Sequence, residues 1–138
     1  MGLYVGRHFV STWHRMPSLQ FRSYRVGSTV VREGGNVAVY FCTPQFEVIH
    51  AVAGPVDAAT FLREARWAVE TWNRISAQER GSRERIARAL REAHLAASVA
   101  APQHGTSMHG FLAQRGLPTV NTIARDVFQG LLGEPVGA

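Results

Sequence analysis

The chain has 138 residues, of which 46% are hydrophobic and 18% are charged, and its net charge is +5. This length and composition predict one soluble globular domain and are not those of a disordered chain. No apolar run approaches the roughly 18 residues that span a bilayer, and the N-terminus lacks the apolar core of a signal peptide. A single cysteine excludes an internal disulfide, so we expect a cytoplasmic protein with no membrane partner.

The 15 basic residues are all arginine and concentrate near the N-terminus, where residues 1–35 hold five arginines against one glutamate. Four of them alternate with aromatic residues, which could offer phosphate contacts beside stacking platforms. These residues are Arg7, Arg15, Arg22 and Arg25 with Phe9, Trp13, Phe21 and Tyr24. No RNA-recognition, helix-turn-helix or zinc-finger pattern accompanies them. Solvent-facing arginines on a strand pair are therefore favoured, and arginine-rich nucleic-acid binding remains an alternative.

The first half of the chain predicts β-strands. Residues 8–13 (HFVSTW) are aromatic and β-branched and predict a strand, and residues 21–31 predict a weak edge strand. Residues 37–42 and 46–53 are apolar on both faces, as in strands that are covered on both sides. The turn at residues 43–45 (TPQ) is so short that these two strands must form an antiparallel hairpin.

The second half predicts helices. Asp57 is a suitable N-cap for a long amphipathic helix over residues 58–75, and Ser82 is a suitable cap for a second helix. The apolar stripe of the first is Phe61, Leu62, Ala65, Ala68, Val69, Trp72 and Ile75. That of the second is Ile86, Ala89, Leu90, Ala93 and Ala97. Two shorter helices are predicted over residues 107–115, with Ser107 as the cap, and 120–132.

Residues 36–75 give the order strand, tight hairpin, strand, glycine and helix. With the segment FCTPQFEVIHAVAGPVDAATFLREA, this pattern resembles the C-terminal half of a thioredoxin-like fold. The resemblance implies an α/β (α+β) fold whose small, partly antiparallel sheet is covered by a long amphipathic helix. Residues 1–76 would form a truncated thioredoxin-like module, and residues 77–138 a helical extension packed on it within one compact domain.

The same resemblance argues against thioredoxin chemistry. Oxidoreductases of that family need a nucleophilic cysteine at a helix N-terminus, usually in a C-x-x-C motif, and a cis-proline nearby. Residues 14–17 (HRMP) contain no cysteine, and residues 35–36 (Gly-Asn) stand in the place of the proline. We therefore expect a non-catalytic module. Cys42 follows Phe41 at the end of a strand and is predicted to fill the core, with thiol-redox chemistry as the alternative.

The six histidines show no metal-binding spacing. His94, His104 and His109 have nine and four residues between them, and no acidic or thiol ligand accompanies them. His50 is predicted to share a strand face with Val48 and to be a core histidine bonded to backbone. The spacing therefore predicts neither a metal nor another cofactor.

Three residues are candidates for contacts with a partner protein. Trp13 and Trp67 are large aromatic residues, and Trp67 is predicted on the outer face of the 58–75 helix, one turn from Arg63. Tryptophan and arginine are enriched at interface anchors. We therefore expect a homo-oligomer or a protein partner, so that the chain acts as an interaction or dimerisation module.

Overall fold

A computed structural model of the chain describes residues 1–13, 22–33, 37–100 and 106–132. Its elements in chain order are α1 (Gly2–His8), β1 (Arg22–Val26), β2 (Thr29–Glu33), β3 (Ala38–Cys42), β4 (Val48–Ala53), α2 (Ala58–Gln78), α3 (Arg83–Ala100), α4 (Thr106–Ala113), α5 (Val120–Asp126) and a π-helical turn (Val127–Leu131). The predicted mixed α/β class, with small antiparallel sheets and a helical second half, is confirmed.

The predicted hairpin is present as the antiparallel pair β3–β4. Thr43 closes the turn, because its hydroxyl accepts hydrogen bonds from the backbone N–H groups of Gln45 and Glu47, both at 3.3 Å. Phe46 completes it with a φ of 59°, a left-handed conformation that a bulky side chain rarely adopts. A backbone hydrogen bond, from the Phe46 N–H to the Thr43 carbonyl at 3.0 Å, holds this conformation.

A β-bulge in β4 changes the predicted side-chain alternation. Phe41 pairs with His50 and Cys42 pairs with Val48, so Ile49 is an extra residue that has no paired residue on β3. An extra residue reverses the alternation beyond it. Val48 consequently packs on one side of the hairpin while Ile49 packs on the other, and His50 faces the same helix as Ile49 rather than sharing a face with Val48. The predicted face was wrong at this position.

Helix α2 covers one side of the hairpin, as predicted. The Asp57 carboxylate accepts a hydrogen bond from the Thr60 backbone N–H at 2.7 Å, which confirms the N-cap. Ala65, Ala68 and Ile75 on the apolar stripe are all at most 1% exposed. The two alanines place no bulk between α2 and the sheet, so the helix backbone approaches β4 closely.

The hairpin separates two apolar cores. Side chains from the hairpin, α2, α3 and the loop after α4 form the first: Phe41, Ile49, Val52, Ala65, Ala68, Ile75, Leu90 and Leu117. Side chains from the hairpin, α4, α5 and the π-helical turn form the second: Val48, Ala51, Met108, Leu112, Ile123 and Val127. Strand β4 is thus covered on both faces, in agreement with its apolar sequence.

The N-terminal strand predictions were wrong in part. Residues 2–8 form α1, and residues 9–13 form no strand; Val10 and Trp13 there are 100% and 87% exposed and so have no apolar surface to pack against. Residues 22–33 form a hairpin of their own, β1–β2, that turns at Gly27 with a φ of 61°. Residues 14–17 and 35–36, which the resemblance singles out, lie outside the described residues.

The predicted C-terminal helices are confirmed with shifted ends. The Ser82 hydroxyl accepts from the Arg85 backbone N–H at 3.4 Å at the start of α3. Ser107 lies within α4 rather than before it, and α5 continues into the π-helical turn. Gly116, with a φ of 73°, ends the segment after α4. No helix in the described ranges is both long and apolar enough to cross a membrane.

Candidate metal centre

Three histidines that are far apart in the sequence meet in the interior of the fold. His50 comes from β4, His94 from α3 and His109 from α4, and all three are buried, at 1%, 1% and 8% exposure. One ring nitrogen from each lies within 4.8 Å of the corresponding nitrogen of the others. We call these three residues the histidine cluster.

The protonation of His94 follows from its two hydrogen bonds. Its Nε2 lies 3.0 Å from the carbonyl oxygen of Ile49, which only accepts, so Nε2 carries the proton. Burial, helped by the neighbouring His50 and His109, lowers the pKa of His94 to about 3, so the ring is neutral. The Nδ1 atom of His94 therefore holds a lone pair. The carbonyl that orients the His94 ring belongs to Ile49, the bulged residue, which is not paired in the regular β3–β4 register.

The lone pair of His94 faces the ring of His109. The two Nδ1 atoms are 2.9 Å apart, so the Nδ1 of His109 must be the donor in this hydrogen bond. The other nitrogen of His109, Nε2, lies 3.7 Å from the Glu64 carboxylate oxygen Oε2. His109 thus links the interior of the cluster to the carboxylate of α2.

His50 has one nitrogen that is satisfied and one that is not. Its Nε2 donates to Glu64 Oε2 at 2.9 Å, rather than to the backbone as the sequence predicted. Its Nδ1 is fully buried and has no hydrogen-bond partner within the described part of the chain. Burial lowers the pKa of His50 despite the hydrogen bond to Glu64, so the ring is neutral and the unpartnered Nδ1 is a lone pair. A buried nitrogen without a partner is costly, and it calls for an explanation.

Glu64 is the carboxylate of the site. Its side chain is only 16% exposed, and its other oxygen accepts from the Arg63 guanidinium at 3.0 Å. The imidazoles of His109 and His50 beside the carboxylate outweigh the effect of burial and hold the pKa of Glu64 well below its usual range. The carboxylate is therefore ionised at neutral pH and orients two of the three imidazoles.

Trp67 covers the cluster. Its ring centroid lies 4.9, 4.8 and 4.7 Å from the centroids of His50, His94 and His109, respectively. The sequence placed Trp67 on the outer face of α2, and that position was wrong. Glu64 and Trp67 are three residues apart, so they share a face of α2, and the fold turns that face towards β4, α3 and α4.

A cleft with a volume of about 200 Å³ adjoins the cluster. His50, Glu64 and His109 contribute to its wall, and Thr60 is a further polar residue there. The remaining lining is apolar: Ala51, Val52, Ala53, Val56, Met108 and Leu131. Two of the three histidines therefore face a space that can admit a small molecule.

Of the other candidate residues, Arg63 contacts the Glu64 carboxylate, whereas Cys42 and Trp13 are not part of the cluster. Cys42 is half-buried beside the second core, where burial raises the pKa of its thiol to about 11. Trp13 is 87% exposed, and the Arg63 side chain is 59% exposed while it contacts Glu64. A role in binding a partner stays a prediction for Trp13, Arg63 and Trp67, as does the redox role of Cys42.

Sequence spacing missed the cluster because its members come from three different elements. One usable signal was present: His94 follows Leu90 by four residues and so continues the buried stripe of α3. The sequence analysis considered His94, His104 and His109 together, whereas the structure brings His94 and His109 together with His50. His104 lies outside the described residues. The prediction that no metal is bound stays untested, and the geometry favours the opposite.

Comparison of the chain with protein-family models, with curated proteins and with solved structures finds no match. The thioredoxin-like resemblance therefore stays a prediction, and the function has to be argued from the site itself.

Proposed function

We propose that this protein binds one divalent transition-metal ion of the zinc class through the histidine cluster. The observation that carries the proposal is the meeting of three buried, mutually close imidazoles, one of which has an unpartnered Nδ1. Imidazole nitrogen is a preferred ligand of zinc, copper, nickel and iron. A metal ion at this position supplies the missing partner of His50.

The hydrogen bonds favour coordination through the three Nδ1 atoms. The opposite nitrogen is occupied in His50 by Glu64 and in His94 by the Ile49 carbonyl. In His109 it faces Glu64 at 3.7 Å. Metal-bound histidines commonly donate their other nitrogen to a carboxylate or a backbone carbonyl, which is the arrangement seen at His50 and His94. On binding, the proton of His109 would move from Nδ1 to Nε2, towards Glu64.

The distances require a modest rearrangement. In a tetrahedral site with metal–nitrogen bonds of 2.0–2.1 Å, neighbouring ligand nitrogens are about 3.3 Å apart. Here the Nδ1 atoms of His94 and His109 are 2.9 Å apart, and one nitrogen from each of the three rings lies within 4.8 Å of the others. The rings of His50 and His109 are stacked, with 15° between their planes, and must tilt because the lone pairs lie in the ring planes. Metal binding by this set therefore requires rotation of the His50 and His109 side chains.

The test is titration of metal-stripped protein with Co²⁺, followed by visible absorption, and with Zn²⁺, followed by calorimetry. We expect one ion per chain. His50→Ala, His94→Ala and His109→Ala should each weaken binding by at least about 100-fold, and Glu64→Gln by about 10–100-fold as an orienting residue. His8→Ala, on an exposed turn of α1, is the matched control and should bind normally.

Trp67 provides a second readout that does not depend on the histidine variants folding. Because its ring packs on all three imidazoles, Co²⁺ should quench its fluorescence on binding. Trp67→Phe keeps an aromatic ring on the cluster and should remove the quenching while binding persists. Absence of micromolar binding, or binding that is indifferent to the cluster variants, contradicts the proposal.

Self-association is a second candidate function, favoured by the outer edge of β3. Among the described residues β3 pairs only with β4, and Val37 and Val39 beside this edge are 58% and 37% exposed. Edge strands with apolar side chains tend to pair with another chain. We expect a homodimer in sedimentation equilibrium at micromolar concentration and a monomer for Val39→Lys. A monomeric wild-type protein contradicts this candidate.

A further inference from the structure

We propose that the histidine cluster selects monovalent copper, Cu⁺, over zinc and the other divalent ions. This inference rests on the proposed metal site and adds the identity of the ion that the site prefers. The observation behind it is that the cluster offers three imidazole ligands in a closed interior.

The number of ligands is the first reason. Within the described residues, the group of side chains that could hold an ion here consists of the three histidines. Glu64 is not a member of this group, and its Oε2 atom binds Nε2 of His50 rather than the unpartnered Nδ1. Structural zinc sites have four protein ligands, whereas Cu⁺ is also stable with three. The cluster therefore satisfies Cu⁺ and leaves Zn²⁺ short of one ligand.

Water would have to supply the fourth ligand of a zinc ion, and the interior of the cluster is closed to it. The Nδ1 atom of His50 is fully buried, and His94 is 1% exposed. The ring centroid of Trp67 lies within 4.9 Å of each imidazole centroid. Glu64 lines the cleft and contacts the Nε2 atoms of His50 and His109, so the cleft meets the Nε2 side of these rings.

Charge is the second reason. A metal-bound imidazole is neutral, so three histidines cancel none of the charge of the ion. The cost of removing an ion from water rises steeply with its charge, and the buried cluster therefore penalises a divalent ion more than Cu⁺. The Glu64 carboxylate is itself paired with the Arg63 guanidinium at 3.0 Å, so this pair adds little net charge. Copper is also among the metals that imidazole suits.

The test is a competition between ions on the whole 138-residue chain, metal-stripped and kept anaerobic with ascorbate. Cu⁺ is supplied as its coloured complex with bathocuproine disulfonate, and loss of the colour measures transfer to the protein. Calorimetry gives the Zn²⁺ affinity. We expect one Cu⁺ per chain, bound at least about 100-fold more tightly than Zn²⁺. Cu⁺ should also displace bound Co²⁺, and X-ray absorption at the copper edge should show a three-coordinate ion.

Trp67→Ala tests the closure of the site without removing a ligand. Loss of the ring opens a space beside the imidazoles that water can enter, so Zn²⁺ can complete its four ligands. The ratio of the Zn²⁺ to the Cu⁺ dissociation constant should fall by at least about tenfold. Trp13→Ala makes the same change at an 87% exposed position and should leave the ratio unchanged.

The outcomes separate this inference from the proposed function. A smaller preference for Cu⁺ in the wild type, or a smaller change in Trp67→Ala, overturns the selectivity and leaves the metal site standing. The wild-type competition decides alone if Trp67→Ala does not fold. Binding of Cu⁺ without measurable Co²⁺ or Zn²⁺ supports the selectivity and removes the divalent ion from the proposed function. If no ion binds, the proposed function and this inference both fail.

Discussion

At the scale of single residues, burial decides the chemistry of Cys42. The thiol shares the second core with Tyr40, whose pKa is raised to about 12 by burial and by the neighbouring Cys42. The thiolate is the reactive form of cysteine, and it is scarce wherever the pKa lies far above the ambient pH. A cysteine at this position could either pack in the core or act as a redox group, and the surroundings of Cys42 favour packing in the core.

We expect the thiol of Cys42 to react slowly with a disulfide reagent such as dithionitrobenzoate at pH 8. With a pKa of about 11, only about one thiol in a thousand is ionised there. Unfolding in guanidinium should increase the rate by at least about 100-fold, and Cys42→Ser should give no signal. Rapid reaction of the native protein would show that Cys42 is an accessible, activated thiol.

At the scale of elements, α2 has two functions on two faces. Its small buried residues Ala65 and Ala68 bring it close to β4, and Ile75 fixes its C-terminal half in the first core. Glu64 and Trp67 then lie beside this contact and reach the histidine cluster. The bulge in β4 has the corresponding effect in the sheet, because it turns the His50 side chain towards α2.

Ile75→Ala should lower the free energy of unfolding by about 2–5 kcal/mol, the range for truncating a buried aliphatic side chain. Ile75 is 1% exposed, so the substitution leaves a cavity in the first core. Guanidinium unfolding followed by circular dichroism measures the change. Val99→Ala, at a 73% exposed position on α3, is the control and should change it by less than about 0.5 kcal/mol. Equal effects of the two substitutions on the free energy of unfolding would contradict the packing of α2 in the first core.

At the scale of the whole molecule, the cluster makes stability dependent on pH. The folded-state pKa values of His50 and His94 are lowered, so the unfolded chain binds more protons in mildly acidic solution. The stabilisation is complete above the unfolded pKa of about 6.5 and is lost as the pH falls towards about 3. The lowered pKa of Glu64 acts in the same direction at lower pH, since that carboxylate must be protonated as well.

For metal-free protein we expect the free energy of unfolding to fall by about 1 kcal/mol per pH unit below pH 6 through His94, and more steeply with the contribution of His50. Thermal unfolding between pH 7.5 and 4.5 measures this slope. His94→Gln should have a shallower slope, because one titrating group is removed, whereas the exposed His8→Gln should keep the wild-type slope. Stability that is independent of pH in this range contradicts neutral buried histidines.

Local patterns in the sequence determined much of the secondary structure. The β3–β4 hairpin follows from the short turn at Thr43, and the start of α2 follows from Asp57 and the apolar stripe behind it. Each of these features depends on residues that are a few positions apart, so neighbouring side chains and hydrogen bonds suffice to specify it. The strand predicted over residues 8–13 failed because strand propensity expresses packing on a sheet, and Val10 and Trp13 of that segment are exposed.

Only the tertiary structure decided the candidate site. His50, His94 and His109 are separated by 44 and 15 positions, and each reads along the sequence as an isolated histidine. Their meeting depends on the bulge at Ile49, on the close approach of α2 to β4 and on the packing of α4 against α3, none of which has a local signature. Side chains from separate elements become neighbours only when apolar surfaces pack in one specific arrangement, and that arrangement is a property of the whole chain.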